Sequence, residues 1–307
     1  MDRIAFFDTE VTSEKDKLLD IGCVRSDTAE FHSGERGKFS AFVEDCRFLC
    51  GHNIFAHDLK YVREDLEAAG QSHDFIDTLY LSPLFFPTRP YHRLLKNDKL
   101  QVDDLNNPLS DAKKAKDLFY DAETAYHRLP GDMQAIFASL LWRREEFSAF
   151  FKYVTASPVS DIDNLIARAF DAKICSNVNL RWLIESYPVE LAYCLALINA
   201  GDKYSIIPPW VSVNFPHTDF VMGLLRNTPC KQGCKYCSTQ LNIHKSLKKI
   251  FGYDSFRTYE GEISLLYIAP ESLRSATIEK LLLSRNVVRF VVDEAHCFSA
   301  WGWIKPM

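Results

Sequence analysis

The chain has 307 residues, 47% of them hydrophobic and 25% charged, with only 12 glycines and 13 prolines, so it can form about two globular domains and is not a disordered or fibrous sequence. Its formal net charge of −5 excludes a polycation that binds nucleic acid through a global field, and any such contact must come from local basic patches. No apolar run reaches the roughly 18 residues of a membrane span and no secretory signal pattern is present, so the sequence predicts a cytoplasmic protein with no membrane partner.

The first predicted element is a strand that ends in two acids. The segment IAFFDTE places Asp8 and Glu10 two residues apart, so on a strand both carboxylates project from one face. Taken alone, the pair is more simply a strand end with two solvated acids. Two later segments add further acids: CGHNIFAHDLKYV supplies Asp58 after a polar turn, and NNPLSDAKKAKDLF supplies Asp111 in the first turn of a predicted helix.

Four carboxylates on three separate elements indicate a chemistry that needs them together. Hydrolysis of a phosphodiester by two divalent ions about 3.5 to 4 Å apart is such a chemistry, and hard oxygen ligands favour Mg²⁺ or Mn²⁺. In this arrangement Asp8 bridges both ions, and Glu10 and Asp111 hold the ion on the side of the attacking water. Asp58 helps to position the second ion, partly through water.

These three segments resemble the three motifs of the DEDD exonucleases, which are proofreading-type nucleases on a ribonuclease-H-like α/β fold. FFDTE resembles the first motif, GHNIFAHDL the second and NNPLSDAKKAKDLF the third, and the resemblance covers roughly residues 1–125. It implies a metal-dependent 3′–5′ exonuclease that acts on single-stranded 3′ ends of nucleic acid. DNA is the expected substrate, although the sequence does not distinguish DNA from RNA.

One position departs from the pattern of the family. In its histidine subclass, a histidine five residues before the last acid is the general base toward the attacking water, and Asn106 stands at that position here. An amide does not accept a proton at neutral pH. His92, in the segment YHRLLKND, is the candidate replacement, although a histidine beside Tyr91 and Arg93 is more often a surface or packing residue. A nucleic-acid-binding protein with an inactive nuclease site is therefore one alternative.

The middle of the chain, from residue 112 to about 200, has the apolar spacing of helices. One stripe of five apolar residues follows the helical period and predicts a buried helix face: Met133, Ile136, Phe137, Leu140 and Leu141.

Three cysteines then lie close together in TPCKQGCKYCSTQLNIHK. Cys230, Cys234 and Cys237, with His244 as the fourth ligand, suit a closed tetrahedral Zn²⁺ site. Neighbouring lysines can contact phosphates. The same cysteine spacing resembles the cluster loop of radical S-adenosylmethionine enzymes, in which three thiolates bind an iron–sulfur cluster. Cysteines without metal are the third interpretation.

The last third of the chain resembles three consecutive landmarks of RecQ-type DNA helicases, at residues 247–262, 265–273 and 287–302. The resemblance implies that Asp293 and Glu294 of the DEAH box correspond to the acids that hold Mg²⁺ and polarise water for ATP hydrolysis. The phosphate-binding loop expected between the first two landmarks is missing, so we expect a vestigial box without ATP, shortened by an internal deletion and a premature end. An ATP-dependent DNA helicase is the second alternative.

The predicted organisation is an α/β protein with four regions. They are a ribonuclease-H-like exonuclease domain (1–125), a helical linker domain (126–205), a cysteine knuckle region (206–249) and a partial RecA-like helicase lobe (250–307).

Overall fold

The structure is a computed structural model of the chain. It describes residues 3–12, 17–89, 91–92, 107–201, 206–228, 230, 234–237, 279 and 282–283. The chain divides into two compact units, Met1–Cys234 and Lys235–Met307, and the architecture given below is that of the first unit. No helix in the described ranges is long and apolar enough to cross a membrane.

Several predicted features lie outside the described residues. They are the three helicase landmarks with Asp293 and Glu294, the zinc ligand candidate His244, and Asn106.

A five-stranded mixed sheet forms the centre of the first unit, with strand order β3-β2-β1-β4-β5. Strand β1 is antiparallel to β2 and parallel to β4; β2 is antiparallel to β3, and β4 is parallel to β5. The predicted α/β class is thereby confirmed. The strands are β1 (Ile4–Val11), β2 (Leu18–Arg25), β3 (Glu30–His32), β4 (Phe48–Gly51) and β5 (Asp74–Asp77).

Strand β1 is the central strand of the sheet. Its first four residues are therefore buried, although their side chains point to both faces. Ile4 and Phe6 belong to one hydrophobic core, and Ala5 and Phe7 belong to the other, as expected from the alternation of side chains along a strand. The apolar run therefore crosses the middle of the first unit, and the acidic residues that follow it emerge at the carboxyl end of β1.

Helices cover both faces of the sheet. α1 (Arg36–Val43) and α2 (Leu59–Ala68) pack on the face of Ala5 and Phe7, whereas α3 (Thr78–Phe85) and α4 (Pro108–Arg128) pack on the face of Ile4 and Phe6. α4 begins sharply because the Asn107 side chain accepts hydrogen bonds from the N–H groups of Leu109 and Ser110, and proline at the first helical position needs no such partner.

The helical part of the unit continues the core of the α3–α4 face. The predicted apolar stripe on α5 is buried in that core, so this prediction is confirmed. Most residues of α9 (Pro188–Ala200) are buried, on all sides of the helix, and belong to the same core. The predicted boundary at residue 125 falls inside α4. The helices are α5 (Gly131–Leu141), α6 (Glu145–Tyr153), α7 (Ile162–Ala169), α8 (Leu180–Ser186), α9 (Pro188–Ala200), α10 (Pro209–Asn214) and α11 (Thr218–Met222), followed by a π-helical turn (Gly223–Asn227).

Candidate active site and candidate metal centre

The two acids of the first motif lie where β1 leaves the hydrophobic core. Asp8 and Glu10 are partly exposed, whereas Thr9 between them is buried. Because alternate residues of a strand share a face, Asp8 and Glu10 lie on the face that α4 covers, and Thr9 lies on the face of α2. Both acids therefore face the helix that carries Asp111.

Asp58 is held against β1 by hydrogen bonds to Thr9. Its Oδ1 atom accepts from the Thr9 backbone N–H at 2.8 Å and from the Thr9 hydroxyl at 2.6 Å, and the residue is 1% exposed. The paired part of β1 and β4 ends at Phe6, so the carboxylate takes an N–H that no β4 carbonyl accepts. Asp58 thus reaches the segment between Asp8 and Glu10 from the side of α2.

Asp111 is brought toward β1 by a close backbone approach at Gly22. A Cβ atom at Gly22 would lie 2.0 Å from the backbone nitrogen of Leu109, so only glycine allows α4 to start here. Gly22 is the direct partner of Asp8 across β1 and β2. Asp111 follows Leu109 by two residues, and its Oδ1 atom lies 2.9 Å from Lys114 Nζ.

The four acids are carried by segments that meet near the end of β1. Within the described residues, however, no three of their carboxylates offer oxygens that all lie within 4.8 Å of one another, so they are not close enough together to be ligands of one ion. The carboxylate of Asp111 is engaged by Lys114 and that of Asp58 by Thr9. A cation held by these acids would therefore have to displace Lys114 from Asp111, and Asp58 would offer its Oδ2 atom.

The loop after β4 is fixed by a buried acid that the sequence analysis missed. Asp77 is fully buried, and its two oxygens accept the backbone N–H groups of Asn53, Phe55 and Leu79. Burial raises the pKa of Asp77 to about 7, against the opposing effect of these three hydrogen bonds. The signal available in the sequence was an acid in front of a threonine at a strand end, which is a common way to begin a helix.

Two histidines contact side chains of α3: His52, which is half-buried, and His92, which is buried. His52 Nδ1 is 2.9 Å from the Thr78 hydroxyl, and His92 Nδ1 is 2.8 Å from the Ser82 hydroxyl. Within the described residues, the buried Nε2 atom of each ring has no hydrogen-bond partner. Burial lowers the pKa of both rings to about 4, so both are neutral at pH 7. His92, the candidate base predicted from the sequence, is 5% exposed and is therefore not a surface residue.

The second chemical feature is a cluster of four cysteines that can hold a metal ion such as zinc. Cys175, Cys230, Cys234 and Cys237 have sulfur atoms that all lie within 4.8 Å of one another. The Sγ atoms of Cys175 and Cys234 are 3.9 Å apart, and the N–H of Cys234 donates to Cys230 Sγ at 3.4 Å. The predicted grouping of the last three cysteines is confirmed. Cys175 was missed, because it precedes them by more than fifty residues and has no local motif.

Two hydrogen bonds to the π-helical turn, one to its backbone and one from a side chain, hold the segment of Cys175 in place. The N–H of Cys175 donates to the carbonyl of Leu225 at 2.8 Å, and Arg226 Nε donates to the carbonyl of Lys173 at 3.0 Å. The N–H of Cys234 and the side chain of Asn177 lower the pKa of Cys230 to about 6. The thiolate form, which is the form that binds metals, is therefore favoured at this position.

No protein-family model matches this chain, and no solved structure matches it at a significant level. The geometry described above therefore carries the interpretation of both sites.

Proposed function

We propose that the first unit is a metal-dependent 3′–5′ exonuclease that acts on nucleic acid, with single-stranded DNA as the expected substrate. The observation that carries this proposal is the arrangement of acids around the end of β1. Asp58 is bonded to Thr9, between Asp8 and Glu10, and the helix of Asp111 starts against the strand partner of Asp8.

The sheet topology supports the same proposal. In open α/β sheets, ligands bind in the crevice outside the carboxyl ends of the strands. Asp8 and Glu10 stand at the carboxyl end of β1, and His52 and Asp58 follow the carboxyl end of the parallel strand β4. This arrangement is compatible with the ribonuclease-H-like fold that the sequence resemblance implies.

The donor set fits hard divalent cations. Asp8, Glu10, Asp58 and Asp111 offer carboxylate oxygens, which suit Mg²⁺ or Mn²⁺ rather than softer metals. When bound, two such ions would polarise the scissile phosphate and help to ionise the attacking water. The residues of this chain would hold and orient these ions. Asp8, Glu10 and Asp111 would bind them on the α4 face, and the hydrogen bond from Thr9 would set the angle at which the Asp58 carboxylate approaches them.

The proposal is tested with a 5′-labelled single-stranded oligonucleotide, Mn²⁺ or Mg²⁺, and no ATP. We expect a ladder of products shortened one nucleotide at a time from the 3′ end. A circular single strand of the same composition should remain intact, because an exonuclease needs an end. The matching RNA strand, assayed in parallel, identifies the preferred sugar.

Two other outcomes would favour the alternatives. Binding of the oligonucleotide without metal-dependent shortening would make the protein a nucleic-acid-binding protein with an inactive nuclease site. Robust DNA-stimulated ATP hydrolysis that is lost in Glu294→Gln would indicate a helicase motor.

For the cysteine cluster we infer a single structural Zn²⁺ ion. Tetrahedral zinc with Zn–S bonds of 2.3 Å places neighbouring sulfurs about 3.8 Å apart, and the Cys175–Cys234 separation of 3.9 Å fits that value. An iron–sulfur cluster binds its thiolates on different iron atoms and needs a wider set. Four thiolates also leave no open coordination position, so the ion would tie Cys175 to the segment that begins at Cys230 rather than catalyse a reaction.

The Cys175→Ser variant should lose its zinc, because three thiolates without the fourth form an incomplete site and metal affinity contributes directly to folding. Elemental analysis should fall from about one zinc per chain to nearly none, and the midpoint of thermal unfolding should fall. Cys194→Ser is the matched control and should keep its zinc. That buried thiol lies in α9, outside the cluster, and donates a hydrogen bond to the Thr218 carbonyl.

His244→Ala is the second control, and it should keep its zinc if Cys175 is the fourth ligand. Zinc retained in Cys175→Ser and lost in His244→Ala would show instead that His244 is the fourth ligand, as the sequence predicted. A brown protein with bound iron would contradict the assignment of zinc altogether.

A further inference from the structure

We propose that His52 is the general base of this site: its Nε2 atom receives the proton of the water that attacks the phosphate. The inference rests on the proposed exonuclease function and assigns a residue to the step for which Asn106 is unsuited. It is carried by a buried nitrogen that has no partner within the described residues, by a hydrogen-bond chain that leaves this nitrogen without a proton, and by the contact of the preceding residue, Gly51, with β1.

The hydrogen-bond chain determines which ring nitrogen carries the proton. The Thr78 hydroxyl has one proton and donates it to the carbonyl of Gly51 at 3.0 Å. The hydroxyl oxygen can therefore only accept from His52 Nδ1, which lies 2.9 Å away. His52 thus carries its proton on Nδ1, and Nε2 presents a lone pair.

The lone pair at Nε2 has no partner within the described residues, although the atom is buried. Leaving a buried acceptor unpaired costs about 1–3 kcal/mol, so such atoms in folded proteins call for an explanation, and a ligand that binds there is one. Burial also keeps the ring neutral at pH 7, since it lowers the pKa to about 4. A neutral imidazole with a bare nitrogen is the form that accepts a proton.

The backbone around His52 is built to hold the ring in one place. A Cβ atom at Gly51 would lie 2.5 Å from the carbonyl oxygen of Phe7, so the residue before His52 touches β1 directly next to Asp8. Asn53, the residue after it, has a φ of +69°, which is an unusual and costly conformation for a residue other than glycine. The buried Asp77 holds Asn53 in this conformation by accepting its N–H at 2.7 Å.

The charged and titratable groups that act on His52 separate it from His92. Asp111 raises the pKa of His52 and His92 lowers it, both less than burial does, so the His52 ring is close enough to the proposed cation ligand on α4 to sense its charge. The pKa of His92 is instead set by burial and by Arg89. Asp111 therefore acts on the pKa of His52 and is not among the groups that set the pKa of His92.

The proposed step balances as an ordinary hydrolysis. A lone pair of the water oxygen forms a bond to phosphorus, and His52 Nε2 takes one of the water protons. The bond between phosphorus and the 3′ oxygen of the preceding nucleotide breaks, and its electron pair stays on that oxygen, which is then protonated by solvent. The imidazolium afterwards returns its proton to solvent, so the ring is unchanged at the end.

The first test compares His52→Ala with the parent in the oligonucleotide assay. We expect the rate constant at pH 7 to fall by about 10²- to 10⁴-fold, with little change in KM, because general base catalysis contributes about this much. Added imidazole should restore part of the rate, which it would not do if His52 only supported the fold. His127→Ala, at an exposed position in the last turn of α4, is the control and should match the parent.

The second test needs neither metal nor substrate. The ¹⁵N chemical shifts of the His52 ring in the metal-free protein should show a protonated Nδ1 and a bare Nε2 at pH 7. Thr78→Val, which removes the hydroxyl oxygen that accepts from Nδ1, should mix the two tautomers.

The failures of the two proposals are distinguishable. A parent protein without metal-dependent shortening overturns the exonuclease function and this inference together. An active parent whose activity is lost in Asp8→Ala but kept in His52→Ala overturns the role of His52 alone, as does a proton found on Nε2.

Discussion

The Asp8→Ala variant should lower the rate of oligonucleotide shortening by about 10³-fold or more, because in the proposed site Asp8 would be the carboxylate that both cations share, and its loss would cost several kcal/mol of transition-state stabilisation. Asp8 lies on the α4 face of β1 with Glu10, and its direct partner across β1 and β2 is Gly22, which has no side chain to replace the lost carboxylate. The rate of product-ladder formation in Mn²⁺ measures this loss, and oligonucleotide binding measured at the same time should persist.

Asp117→Ala is the control for the loss of one negative charge, since Asp117 is an exposed residue of the same helix that carries Asp111. Its rate should equal that of the parent. If Asp8→Ala degrades the oligonucleotide as fast as the parent does, the acids at the end of β1 are not the catalytic ligands and the proposed function is wrong.

The Gly22→Ala variant should be both less stable and less active. The added methyl carbon would lie 2.0 Å from the nitrogen of Leu109 and 2.2 Å from the carbonyl carbon of Pro108. Both atoms belong to the backbone, so no flexible side chain can move aside, and the start of α4 must shift. Overpacking of this kind costs about 1–3 kcal/mol, and the shift also displaces Asp111 from the acids of β1.

Chemical denaturation and the nuclease assay together measure this effect, with Gly37→Ala as the matched control. A Cβ atom at Gly37 would meet nothing within 4 Å, and the residue lies in α1, where alanine is the better helix former. Gly37→Ala should therefore keep its activity and be at least as stable as the parent. A Gly22→Ala protein with parental stability and rate would show that α4 does not approach β2 this closely.

Local patterns in the sequence were sufficient for the elements and for several members of the sites. The apolar run of β1 predicted a buried strand whose acids lie at its end, and the helical stripe from Met133 to Leu141 predicted a buried helix face. The spacing of Cys230, Cys234 and Cys237 predicted a cluster. These predictions succeeded because the periods of strands and helices, and the geometry of ligands a few residues apart, are properties of short segments.

Other members of the sites depend on contacts between distant segments. Cys175 completes the cysteine cluster only because the π-helical turn accepts its N–H at Leu225, and Asp77 is important only because it is fully buried beneath the loop of His52. Cys175 carries no local signal of this role, and the position of Asp77 in front of a threonine indicates only the start of a helix. Their chemistry follows from burial and from hydrogen bonds made across the fold.

By itself, the sequence determined that the chain forms an α/β unit with acids at the end of a buried strand and three grouped cysteines, because period and spacing are encoded within short segments. Only the tertiary structure decided that Asp58 is hydrogen-bonded to Thr9, that Cys175 is the fourth cysteine, and that His52 Nε2 has no partner among the residues that the structure describes. The reason is physical: which groups meet, and which buried atom is left without a partner, is set by the packing of segments far apart in the chain.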